Sequence, residues 1–559
     1  MKTRLKKVIL YAVIFGLLLF PVGYAGYRGY RSVRQARLVK QAREYLAKPD
    51  PRKALLCLQR ALRYNSRDTE ACRLMAQLAE AGRSPAALVW RSRVVDLNPR
   101  SLNDRLALAQ TAMILRDYPT ATNALEGVDP AGKKTAAYHN IAGAVAAAAN
   151  QPVQAESHFL EAARLEPTNS VPQLNLAVVR LHGTNAQAQA EARSTLAGIS
   201  SASPALRCQA LRELVADAMR SRQTNAALAL SGDLVQQTNS VFSDRLLRLE
   251  VLRTARNPEF KPALAAFQRE AVGDSGKIYE MAIWQMAKTT PGDTLAWLRS
   301  LPLNTQTNPP VALLAAECYT TLRDWKGLQA SLDPQHWAEL EFIRRAFRAR
   351  ALRGQELSGA AKAEWELALK TATGQKGSLV MLLRLAAQWK WQSEAEELLW
   401  TIVNRYPGET WAVQGLTQAL YAGGRTRPLM MLYSQELKRS PANLGLKNNL
   451  AMTALLLEAK ELKPHDLARE VYEKSPTNSA FASTYAFSLH LQEKNAQALK
   501  VMQSLKPQDL ENPGIAGYYG LILKATGNSE KAKPYLNWAF KGPLLPEEKK
   551  LFDRAKAGI

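Results

Sequence analysis

The stretch AAYHNIAGAVAAAANQPVQAESHFLEAARLEPTN, residues 136–169, decides the fold, because it reads as two short helices in a hairpin. Its first half is almost all small residues, with Ile141, Ala142 and Val145 on one helical face, so a second helix can approach its backbone closely. Its second half supplies that helix: Ala155, Phe159 and Ala162 fall at i, i+4 and i+7, and Pro167 stops the helix five residues later. Such a hairpin cannot bury both of its faces alone, so it needs neighbours of its own kind.

Those neighbours recur upstream as Ala54 with Leu58 and Ala61, Ala87 with Val94 and Pro99, and Ala121 with Leu125 and Val128. The leading alanines, continued to Ala155, are 33, 34 and 34 residues apart. Downstream the pattern returns at Ala395, Leu399, Ile402 and Pro407, at Ala498, Met502 and Leu505, and at Ala532, Leu536 and Ala539. Ala54 and Ala532 are 478 residues apart, two more than fourteen periods of 34, so the poorly matching middle is also read as repeats rather than an inserted domain.

A period of 34 residues in paired helices resembles the tetratricopeptide repeat (TPR) family. The resemblance is incomplete. The aromatic expected early in the first helix is Tyr138 in one unit but Ala71 and Arg105 in others, and Arg91 replaces an apolar residue of a second helix. The expected fold is all-α: a right-handed α-solenoid of about fifteen TPR-like helix hairpins, preceded by an N-terminal transmembrane helix. The expected layout is a membrane anchor or signal peptide in 1–30, well-preserved repeats in 31–200, degenerate repeats in 201–380, further repeats in 381–541 and a capping helix in 542–559.

Composition agrees with helix-on-helix packing, since 47% of the 559 residues are hydrophobic but only 7% aromatic. Runs of alternating Val, Ile and Thr are absent, which argues against sheets. The net charge is +25, and the first fifty residues hold eleven Lys or Arg against two acids. The remaining +16 is spread among both signs, the pattern of a solvated surface, so nucleic acid is not an expected partner. Cys57, Cys72, Cys208 and Cys318 show no metal or redox spacing and read as buried small hydrophobes, with a Cys57–Cys72 bridge conceivable.

Residues 8–27, VILYAVIFGLLLFPVGYAGY, carry no charge and follow Lys2, Arg4, Lys6 and Lys7. As a helix they are long enough to span a bilayer, although Pro21 with Gly23-Tyr24-Ala25 also resembles a cleavage site. The expected localisation is the cell membrane, single-pass, with the repeats extracytoplasmic (periplasmic). Arg31 to Leu46 is expected to run on as a helix into the first repeat.

The chemistry of catalysis is missing. There is no GxGxxG after a strand, no GxxxxGK[ST], no HExxH and no GxSxG, and the six histidines lack metal-ligand spacing. No enzyme activity, metal or small-molecule cofactor is expected. The TPR resemblance implies a membrane-tethered scaffold that binds extended peptide or helical segments of protein partners on a concave surface; the alternative is an accessory subunit of an envelope or exopolysaccharide assembly or secretion complex.

Three features are candidate partner contacts. The tripeptide Asn-[Ile/Leu]-Ala places Asn140 and Asn175 35 residues apart, at the same point of successive first helices, and recurs at Asn449. An asparagine amide both donates and accepts, which suits the backbone of an extended chain at the edge of the concave groove that the resemblance implies; the alternative is that these amides only hydrogen-bond the adjoining helix or water. Arg344, Arg345 and Arg348 cluster on one helix and read either as a solvated face or as a cationic patch for an anionic partner, lipid headgroup or nucleic acid. Trp389, Trp391 and Trp411 are read either as filling between repeats or as an aromatic-lined surface.

Overall fold

The computed structural model describes residues 29–47, 50–82 and 84–558. Among the described residues every regular element is a helix and there is no strand. The chain divides into two compact units, residues 1–284 and 285–559.

The first unit is built of seven hairpins. They begin with the helix over 29–47 and Pro51–Tyr64, and end with Phe242–Thr254 and Phe260–Ala271. The second unit holds seven more, from Val311–Leu322 with Trp325–Leu332 to Pro513–Ala525 with Ser529–Ala539, followed by the single helix Pro546–Ala557. Ser275–Lys288 spans the division and Pro291–Ser300 follows it. Each unit is an α-solenoid. A first helix packs on its own second helix and on the first helix of the next hairpin, as Leu102–Ile114, Ala136–Ala148 and Ser170–His182 do. Residues 201–380 are helical on both sides of the division, in hairpins apart from Ser275–Lys288 and Pro291–Ser300 beside it.

Local chemistry explains where the helices start. Asp68, Ser101, Asp117, Thr135 and Asn169 precede five of the helices between Thr69 and His182, and each side chain accepts a hydrogen bond from an otherwise unpaired first-turn N–H. The turns inside the hairpins carry a second, hidden period. Residues with left-handed backbone occur at Arg323, Glu356, Lys390, Gly424, Glu458, Glu493 and Gly527, spaced 33 to 35 residues apart, and upstream at Arg116, Asn150, Arg222 and Arg256. Each sits where the first helix ends and the chain must reverse. Only two of these eleven positions are glycine, and for the others the conformation costs about 1–2 kcal/mol, offset by the packing of the two helices it joins.

Packing is alanine-based. Ala54, Ala61, Ala121, Ala155, Ala162 and Ala532 are fully buried, and Phe159 closes on Gly143, where an added methyl group would stand 2.7 Å from the ring. Ion pairs set the register between hairpins. Arg73 grips the buried Asp104 of the next first helix through two bonds of 2.8 and 2.7 Å, and Arg212 grips Asp244 at 2.6 and 2.9 Å. Arg91, the departure from the repeat pattern, is bound by both oxygens of Glu80 at 2.7 and 2.9 Å. Cys57, Cys72, Cys208 and Cys318 are free thiols, so the conceivable Cys57–Cys72 bridge is not formed.

The membrane expectation requires correction. Among the described residues no helix is long and apolar enough to cross a membrane, and residues 8–27, on which the anchor rested, lie outside the described residues. The single-pass, extracytoplasmic localisation is therefore withdrawn. The helix over 29–47 does lead into the first hairpin, burying Val39 and Ala42 against Leu58 and Ala61.

Candidate partner-binding groove

The asparagine motif lies on the first helices, Ala136–Ala148 and Ser170–His182. Ile141, Ala142, Leu176 and Ala177 turn into the core, which fixes the half-buried Asn140 and Asn175 on the adjoining face. Asn175 Nδ2 donates to Asn140 Oδ1 at 2.9 Å across the two hairpins. That bond leaves the Asn140 N–H2 group and the Asn175 oxygen without another partner among the described residues. Asn140 opens onto a groove of about 360 Å³, lined also by Asn103, Ala107, Gln110, Ala137 and Asn169 from three successive hairpins. Small side chains leave room for a backbone, and the amides edge it with donors and acceptors.

Asn449 belongs to the other unit. It is exposed on Leu444–Leu456, accepts a long hydrogen bond of 3.5 Å from Asn448 Nδ2, and borders a separate polar chamber.

The three arginines are brought together, but by carboxylates of their own chain. Arg344 is only 6% exposed, donates to both oxygens of Glu341 at 2.8 and 2.5 Å, and gives its remaining nitrogen to the Leu332 carbonyl at 2.9 Å. Burial pushes the Glu341 carboxyl up, yet the Arg344 and Trp337 N–H bonds outweigh it and hold the group below the usual carboxylate range. Arg344 is thereby corrected from a partner contact to an internal ion pair. Arg345 lies 3.4 Å from Glu341 and Glu364, and Arg348 lies 3.3 Å from Asp333 and 3.6 Å from Glu364.

Trp389 and Trp391 are buried, with ring centroids 5.0 Å apart and Phe347 and Trp365 edge-on to them. Arg350 lies 5.2 to 5.8 Å from the rings of Trp325, Trp389 and Trp391, and burial lowers its pKa. This is core filling; only Trp411 is exposed, with its indole N–H on Glu409 at 2.7 Å. His139 and His158 do meet across one hairpin, their Nδ1 atoms 3.0 Å apart, but no third ligand joins them among the described residues. Burial, then the neighbouring His139, holds the His158 imidazole below its ordinary pKa.

Sequence reasoning missed the polar residues of the second unit's chamber, chiefly Asn448, Ser483, Tyr518 and Glu548. The motif pointed to Asn449, one residue from Asn448, but the other three lie 35 to 100 residues further on, and only the folded chain brings them together.

No protein-family model matches the chain, and none of the curated proteins matches it. Among solved structures it is similar to one titled for the functional characterisation of Pseudomonas aeruginosa pilF, at 13% identity over 43% of this chain and 91% of that one, with a TM-score of 0.26. It is also similar to a chain of the APC/C hetero-tetramer Cut9–Hcn1, at 13% identity over 91% and 97% of the two chains, with a TM-score of 0.29. A chain of Naa15/Naa10 bound to HypK-THB matches at 14% identity over 94% and 79%, with a TM-score of 0.25. At these scores none of the three carries weight for function. The TPR-like description rests on the period, turns and packing of this chain itself.

Proposed function

We propose that the chain is a non-catalytic protein-interaction scaffold whose first-helix face in the N-terminal unit holds an extended segment of a partner protein. The observation that carries this reading is Asn140 at the edge of the groove, bonded to Asn175 of the next hairpin, with one N–H2 and one oxygen of the pair left over among the described residues. Those groups match the carbonyl and N–H of a backbone, giving affinity without selecting a particular side chain. Stacked hairpins extend such a track over several repeats.

The test is a photo-crosslinking residue at Ala137 in the full chain. A defined protein should be captured, and the double variant Asn140→Ala with Asn175→Ala should reduce its recovery about tenfold, with helicity and melting temperature nearly unchanged. Equal recovery from the folded double variant would remove this groove from consideration.

A further inference from the structure

At its C-terminal end the second unit curls until its last helix meets an earlier hairpin. The Tyr421 hydroxyl donates to the Pro543 carbonyl at 3.3 Å, and the Thr426 hydroxyl donates to the Glu547 carboxylate, contacts made across more than 120 residues of sequence. Pro546 stands against Gly424. Thr410–Ala422, Leu444–Leu456, Ser479–Leu491 and Pro513–Ala525 thus surround a chamber of about 290 Å³, and the start of Pro546–Ala557 closes one side.

The lining is polar but carries almost no charge. Among the described residues no lysine, arginine or histidine borders the chamber and its one acid, Glu548, is buried; Glu548 accepts from the Tyr518 hydroxyl at 2.5 Å and from the Leu545 N–H at 2.8 Å. Burial raises Glu548 above the ordinary carboxyl range and lifts Tyr433 to about 12. Two wall groups lack partners. Asn448 Oδ1 and Ser483 Oγ are buried, on residues 6% and 2% exposed, and neither has a hydrogen bond. Buried polar atoms in folded proteins are ordinarily paired, so two orphans on one chamber wall call for a partner inside it. Leu429, Met452 and Ile515 give the same chamber an apolar side.

A ligand for this space must be small, uncharged and two-sided. Phosphates and carboxylates find no cation, and the one acid an ammonium could meet, Glu548, is buried with both oxygens already accepting from Tyr518 and Leu545. Hydroxyls and amides, which donate and accept at once, complement ligand hydroxyls, and the apolar wall complements a C–H face. The volume lies at the small end of the ~300–1,000 Å³ of ligand pockets, room for one six-membered ring. We propose that the chamber binds a single neutral pyranose unit, with Asn448 and Ser483 as its hydrogen-bonding partners.

The test uses the full chain and saturation-transfer NMR with the methyl glycosides of glucose, galactose and N-acetylglucosamine. At least one should bind saturably in the millimolar range, and glucose 6-phosphate at least about tenfold more weakly. Ser483→Ala should weaken binding about tenfold while leaving the melting temperature unchanged or raised, because the hydroxyl makes no internal bond. Ile515→Trp, which fills the chamber, should abolish binding. Failure of every glycoside to bind, or binding indifferent to both variants, would overturn the proposal. So would chamber occupancy by a neutral Gly-Ser-Asn peptide in place of any glycoside, shown by its loss in Ile515→Trp.

Discussion

The two units bury similar hairpins in different ways. In the first, the described core falls into separate small clusters, such as Val39–Met75, Val95–Val145 and Leu174–Leu214, each confined to a few hairpins and built from Ala, Leu and Val. In the second, one cluster runs from Leu295 to Leu450 and continues to Leu545, held together by Trp337, Trp365, Trp389, Trp391, Phe342 and Phe347. Small side chains join a hairpin only to its immediate neighbours, whereas the larger rings link a longer run of hairpins into one cluster. Coupling between neighbours should therefore be stronger in the second unit.

The largest test of that contrast is a pair of truncations. Trp389→Ala and Phe159→Ala should each cost about 3–5 kcal/mol, since both side chains are buried. Their reach should differ. By hydrogen exchange, Trp389→Ala should lower protection from Glu341–Gly354 through Gln392–Arg405, while Phe159→Ala should affect only its own hairpin and Ser170–His182. Loss of protection as far as Phe242–Thr254 in the Phe159 variant would break the comparison.

A smaller effect is expected from over-filling. Ala155 and Ala532 are fully buried at the close approach of paired helices, so enlarging either to Leu should cost about 1–3 kcal/mol. Urea melts of the two variants should show the loss in one part of the transition; a single cooperative collapse of all helical signal would contradict a nearest-neighbour solenoid.

These features differ in how far the sequence betrayed them. The hairpin over 136–169 was legible because small residues, a Pro stop and a 34-residue echo all agree. The middle repeats were legible only as a count, since their period resides in backbone angles at Arg222, Arg256, Arg323 and Glu356, where polar side chains stand in place of the glycine that would mark a turn. Asn140 and Asn175 were placed in register by spacing alone. Arg344 was misread because its neutralising partner Glu341 lies one turn away on the same helix, and a charged pair looks the same in sequence whether solvated or buried. The chamber was invisible because it depends on how far successive hairpins rotate, which no local pattern records.

The smallest predicted effect is electrostatic, and it sharpens the same contrast. In the first unit Asp104, Glu80 and Glu270 feel burial pushing them up, but arginine and other hydrogen-bond donors outweigh it and hold them below the ordinary carboxylate values. A group with a depressed folded pKa contributes stability that is fully present above its unfolded value and is lost as pH falls through the folded one. In the second unit burial raises Glu548 and Glu317, so for them the sign reverses: the folded state takes up the proton more readily, and stability falls as pH rises through the raised value. Acidifying from neutral pH toward the ordinary carboxylate value of 4.5 should thus slightly stabilise the second unit, while the first weakens slightly because His158, held below its ordinary value, takes up its proton less readily when folded. Below that value both units should weaken, because Glu341, Glu409 and Glu470 in the second are also held low. Tryptophan fluorescence distinguishes the units, since nine of the eleven tryptophans lie in residues 285–559. The urea midpoint by fluorescence should rise slightly between neutral pH and about pH 5, and Glu548→Gln should flatten that rise by removing the titrating proton. A midpoint that falls on mild acidification, or a rise untouched by Glu548→Gln, would place the pH response outside the group that closes the chamber.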